Sequence, residues 1–150
     1  MTRKLIYCLL AVSISSIVSP ALLSAQESDC SKLQSTNAQS ECYSRDLTRV
    51  EAEMNRAYER ALAAYTPDQQ VQKELAGMPK YDREQAIQAN VRMLRKLRES
   101  QKLWLAYRDS ACATVEEKYE GGTITALVVP LCRKDLAGQR KRFLQDNFGN

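Results

Sequence analysis

The chain has 150 residues, with 22 Lys and Arg against 18 Asp and Glu, five Cys, one Trp and no His. That length supports one domain around one core, and a composition 44% apolar and 27% charged is that of a water-soluble fold. Without histidine the chain lacks the commonest general base and the commonest metal ligand, which argues against a serine, cysteine or zinc hydrolase.

Residues 1–25 read as a secretory signal: Arg3 and Lys4 are basic, Leu5 to Val18 is apolar, Ser19-Pro20 breaks the run, and small residues lead to Ser24-Ala25. The remainder, 26–150, is then one exported domain. Removing Arg3 and Lys4 lowers the formal charge from +4 to +2, and no later apolar stretch approaches the roughly 20 residues of a membrane span. Cys8 leaves with the signal, so Cys30, Cys42, Cys112 and Cys132 remain. An even number in an exported chain favours two disulfides. Sequential pairing is favoured because Thr36-Asn37 and Gly121-Gly122 place a turn inside each pair. An unbroken helix would instead hold Cys112 and Cys132 about 30 Å apart. Each closed loop is expected to stabilise the fold by roughly 3 kcal/mol. A metal site is disfavoured by the absence of both His and a CxxC spacing.

Gln26 to Ser35 reads as a short helix or a loop held by Cys30. Thr36 followed by Gln39 fits a capping box, and Tyr43, Leu47, Val50, Met54, Ala57, Ala61 and Tyr65 step by threes and fours, predicting a helix over 37–65. Thr66-Pro67-Asp68-Gln69 opens a second helix over 67–76 with Pro67 in its first turn, and Gly77 with Pro79 closes it. Asp82 is the predicted cap of the longest helix, 83–119, whose stripe runs from Ile87 through Leu97, Trp104 and Cys112 to Tyr119. Gly121-Gly122 ends it, and Thr123 is the predicted cap of a last helix reaching Phe148, kinked or delayed by Pro130. The β-favouring run 123–129 could instead be a strand, but it has no partner elsewhere in the sequence. The fold class is therefore all-α: a small antiparallel bundle of three to four helices stapled by two disulfides.

Little catalytic chemistry is available. Glu116, Glu117 and Glu120 read as a solvated face, and Gly121-Gly122 lacks the context of a phosphate-cradling loop. Arg92, Arg95, Lys96, Arg98 and Lys102 also read as a solvated face, and no nucleic acid is expected as a partner of an exported domain of charge +2. No cofactor is implied. The most unusual segment is Gln101 to Cys112, where Gln101, Trp104, Leu105, Arg108 and Cys112 share one helix face. A buried Arg108 needs a carboxylate, and Glu51 and Asn55, one turn apart on the first long helix, are its candidate partners. An internal clasp locking two helices is the favoured reading. The alternative makes Trp104, Tyr107 and Arg108, beside Asp109, an exposed recognition patch.

The ordered set Cys30, Cys42, Met54-Asn55-Arg56-Ala57-Tyr58, Gln101-x-x-Trp104-x-x-x-Arg108-Asp109-x-x-Cys112, Gly121-Gly122-Thr123, Cys132 and Arg140 resembles the lysozyme inhibitor LprI-like N-terminal domain family. The resemblance spans nearly the whole mature chain. It implies an exported, disulfide-bonded helical domain without catalytic residues, in a family with at least one lysozyme inhibitor. Lysozyme or another cell-wall hydrolase is the partner it implies.

Overall fold

Four helices carry the fold in a computed structural model that describes residues 29–149: α1 (Thr36–Ala63), α2 (Gln69–Gly77), α3 (Lys80–Lys118) and α4 (Thr125–Phe148). The predicted signal and Cys8 lie outside the described residues. Among those residues there is no strand, and 125–129 is helical. No helix there is long and apolar enough to cross a membrane.

The helix starts differ from the sequence reading by a residue or more, each for a local reason. Ser35, not Thr36, caps α1 by accepting a hydrogen bond from Ala38 N, while Gln39 Nε2 reaches back to Leu33 O at 2.8 Å and Ser31 O at 3.3 Å. Asp68 caps α2 through Val71 N at 2.8 Å, leaving Pro67 just outside the helix. Pro79, extended at ψ 144°, offers its carbonyl to Arg83 N, so α3 begins at Lys80. Asp82 then sits in the first turn, where a carboxylate complements the helix dipole. Ile124, not Thr123, occupies the cap position of α4, and the Thr125 hydroxyl donates to Tyr119 O at the end of α3. Gly121 makes this turn at φ +76°, a backbone conformation that disfavours side chains.

Consecutive long helices run antiparallel, so α1 and α4 lie parallel and share the main seam. Small residues permit it: Ala57 and Ala61 on α1 and Ala137 on α4 are almost fully buried. The core gathers Met54, Leu97 and Leu144 around these alanines, with Tyr58, Leu62, Tyr65, Met93, Trp104 and Phe148 at its edge. Pro130 is accommodated inside α4. It has no N–H to give to Ala126 O, and Ser40 Oγ on α1 donates to that carbonyl instead, at 3.1 Å. Helix α3 is 39 residues long, about 58 Å at 1.5 Å per residue, and no residue of its N-terminal third is buried; there Arg83 Nη1 reaches Ala76 O of α2. Tyr81, Ile87 and Val91 are exposed there.

Ions close the α1–α4 seam. Lys141 Nζ meets Glu53 Oε2 at 2.8 Å, Arg49 Nη1 meets Glu53 Oε1 at 3.0 Å, and Arg49 Nη2 lies 3.5 Å from Asp46 Oδ1. The hydrogen bond from Lys141, supported by Arg49, holds the Glu53 carboxyl below the usual range. A carboxyl so depressed stabilises the fold above the unfolded value near 4.5, and that contribution is lost as pH falls through the folded one. Melting temperature is thus expected to decline below about pH 4.5, and Glu53→Gln to make the decline shallower. An identical acid profile in the variant would show that Glu53 contributes nothing.

Both sequential disulfides are present, Cys30–Cys42 with Cα atoms 5.6 Å apart and Cys112–Cys132 at 5.8 Å. The first pins a short 3-10 turn (Cys30–Lys32) onto α1, and the second ties α3 to α4.

Candidate interaction site

The face of α3 singled out by its spacing does turn inward, but its members divide between core and surface. Gln101 and Cys112 are buried, Trp104, Leu105 and Arg108 are half-buried, and Tyr107 and Asp109 are exposed. Arg108 clasps α3 to α1: its Nη1 donates to Glu51 Oε1 at 2.9 Å, and its Nε and Nη2 both reach Asp109 Oδ1, at 2.9 and 2.7 Å. Its guanidinium carbon lies 5.5 Å from the centre of the Trp104 ring. Glu51 is therefore the partner, while Asn55 is exposed and takes no part in the contact.

With its side chain 15% exposed, Arg108 is screened less than a surface ion pair. Arg108→Ala is expected to lower stability by about 1.5 kcal/mol, because a charge-assisted bond and a stacking contact are lost together. Chemical denaturation measures this directly. A variant as stable as the parent would mean that the pair is energetically idle and that Arg108 is free for another role.

A second arginine, deeper than the first, lies off the α3 stripe. Arg140 on α4 is only 7% exposed. Its Nε donates to Gln101 Oε1 at 3.1 Å and its Nη2 to Ser100 Oγ at 3.0 Å, both neutral acceptors. The Gln101 amide in turn lies 3.4 Å from Met54 Sδ, so one buried line of contacts crosses α1, α3 and α4. The guanidinium carbon is 6.0 Å from the Trp104 ring centre and 5.3 Å from that of Phe143. Burial lowers the Arg140 pKa, with Tyr58 acting in the opposite direction. The available signal was positional: Ala137, Arg140 and Leu144 step by three and four, the same logic that placed Arg108.

Above Arg140, helices α3 and α4 leave a groove of about 310 Å³ lined by Trp104, Tyr107, Leu136, Gln139, Arg140 and Phe143. Its rims are exposed aromatic rings, Tyr107 at 60% and Phe143 at 48%, and Leu103, one turn before Tyr107 on α3, is exposed as well. On the far side of Gln139 lies a second, polar groove of about 360 Å³, where Arg49, Lys134, Lys141 and Arg142 outnumber Asp135. These side chains can stack, donate hydrogen bonds and neutralise an anion. Among the described residues no cluster of His, Cys, Asp or Glu could hold a metal ion.

A family model described as "Lysozyme inhibitor LprI" matches residues 28–144. An uncharacterized protein of Rhizobium meliloti is 28% identical over 127 residues, 85% of this chain and 84% of that protein. No solved structure matches the chain.

Proposed function

Because the chain belongs to the lysozyme inhibitor LprI family, we propose that it is an exported, non-enzymatic domain that binds and inhibits lysozyme or a related cell-wall hydrolase. The observation that carries this reading is the groove on the α3–α4 hairpin, where the exposed rings of Tyr107 and Phe143 stand beside Trp104 over a buried arginine. Trp, Tyr and Arg dominate binding hot spots, because they bury large areas with few rotatable bonds and can satisfy polar groups at their tips. The helices presenting them are joined by a disulfide, so little ordering entropy is lost on association. Two disulfides also fit an oxidising compartment, the periplasm or the cell exterior.

The test is lysozyme activity on cell-wall substrate titrated with purified oxidised protein, at low and high salt. Inhibition that saturates near one to one supports the reading, and full activity under a large excess of the protein rules it out. A second reading, a structural or adaptor protein of the envelope that binds a protein partner or an anionic polymer, draws on the exposed basic face of α3, where Arg92, Arg95, Lys96, Arg98 and Lys102 are all solvent-facing. It requires salt-sensitive binding to that partner or polymer with no effect on lysozyme.

A further inference from the structure

Three other partly buried cations at the helix seams have a carboxylate within reach: Arg108 has Glu51 and Asp109, Arg49 has Asp46 and Glu53, and Lys141 has Glu53. Arg140 is more buried than these and has only an amide and a hydroxyl. Among the described residues no carboxylate pairs with it. A buried charge without a counter-ion is strongly unfavourable, so its retention calls for an explanation.

The geometry of the guanidinium supplies one. Nε and Nη2 are engaged by Gln101 and Ser100 from the core side. Nη1 donates to none of the described groups, yet the one fully enclosed side-chain nitrogen or oxygen without a partner there is Nε of Arg133. The Nη1 edge therefore keeps contact with the outside, and Arg140 forms part of the groove wall between Trp104 and Phe143. Its orientation is set from behind by two hydrogen bonds and from the sides by two rings, while its charge is left uncompensated.

We propose that this groove is a carboxylate-binding site that receives an acidic side chain, flanked by an apolar residue, from a protein partner. The carboxylate would accept charge-assisted hydrogen bonds from the Nη1 edge of Arg140 and neutralise it in a half-desolvated setting, where such bonds are strongest. The neighbouring apolar residue would lie on Tyr107 and Phe143, whose exposed rings line the groove. An extended apolar margin favours a peptide chain over a free small anion, which would use the guanidinium and leave the rings bare. The inference deepens the inhibitor reading, resting on it for the identity of the partner but not for the chemistry of the site.

Trp104 is the sole tryptophan and lines the groove, so its emission reports occupancy without a label. The oxidised protein is titrated with the amidated dipeptides N-acetyl-Leu-Glu and N-acetyl-Leu-Gln, and with acetate. The expected result is a saturable change with the Glu peptide at an affinity at least tenfold above the Gln peptide and above acetate. Arg140→Lys keeps the charge but loses the planar fork, and is expected to cut the Glu preference about tenfold; Tyr107→Ala should weaken both peptides. Should Arg140→Lys fail to fold, Gln101→Leu combined with Arg140→Met serves in its place, and a Glu preference surviving in that folded variant overturns the proposal. Equal response to Glu and Gln peptides, no saturable response, or acetate binding as tightly as the peptide also overturns it. The lysozyme assay is independent. Carboxylate-selective binding without inhibition keeps the site and removes the inhibitor reading, and inhibition without carboxylate selectivity does the reverse.

Discussion

Replacing both Cys112 and Cys132 by Ala is expected to lower stability by about 3 kcal/mol, the chain-entropy value for a closed loop of this length. For a domain of this size that corresponds to a melting temperature about 10 °C lower. The reason for a large effect lies in how α3 is held. Apart from its seam with α4, it meets α1 through Leu97 in the core, Met54 with Gln101 and Glu51 with Arg108. The disulfide therefore carries much of the constraint that keeps the α3–α4 hairpin closed around the Gly121 turn. Cys30–Cys42, by contrast, fastens a three-residue turn already tied to α1 by the Gln39 amide, and its loss should fray that end while leaving the bundle nearly intact. Melting both double variants by circular dichroism separates the two roles. Equal losses, or a Cys112/Cys132 variant within 2 or 3 °C of the parent, would contradict this account.

Gln101→Leu is the second change with a large expected effect. It roughly conserves volume but takes from Arg140 Nε its only acceptor, in a place where water cannot replace it. A stability loss of about 3 kcal/mol is expected, because a buried charged donor is left unmade. Adding Arg140→Met should restore most of that loss, since an apolar pair of similar size removes the desolvation problem altogether. Denaturant unfolding of the two single variants and the double completes a cycle, with a coupling of about 2 kcal/mol expected. Additive losses would show that Gln101 does not anchor Arg140, and with that the preorganisation of the groove would fall. If the double variant is as stable as the parent yet does not bind the Glu peptide, then the fold does not require Arg140 and binding does.

The two arginines show how far linear reasoning carries. Spacing alone puts Arg108 on the inner face of α3 and offers Glu51 and Asn55, one turn apart on α1, as its partners, of which Glu51 takes the contact. Asn55 was named beside it and turns outward, because a difference of four residues on a helix does not resolve which of two neighbours faces a third element. Arg140 obeys the same spacing rule within α4, yet its burial is visible only once α3 is laid against it and Gln101 and Ser100 are seen to cover its inner edge. Tyr107 was grouped with Trp104 as a recognition patch. The groove is completed by Phe143 and Gln139 from the neighbouring helix, which no reading of α3 contains.

What the amino-acid sequence by itself determined is whatever depends on neighbours along the chain: the all-α class, the four helices to within a few residues at their ends, the turn at Gly121-Gly122 and the pairing of the four cysteines. Helical period, loop length and disulfide reach are short-range quantities, and 3.6 residues per turn is enough to compute them. Only the tertiary structure decided the depth of the α1–α4 seam, the rescue of the Ala126 carbonyl by Ser40 beside Pro130, and the isolation of the Arg140 charge. Those depend on the rotation and separation of helices, which are set by where small residues such as Ala57, Ala61 and Ala137 allow two backbones to approach. A change of a few ångströms there determines which cation meets a carboxylate and which one is left facing a groove.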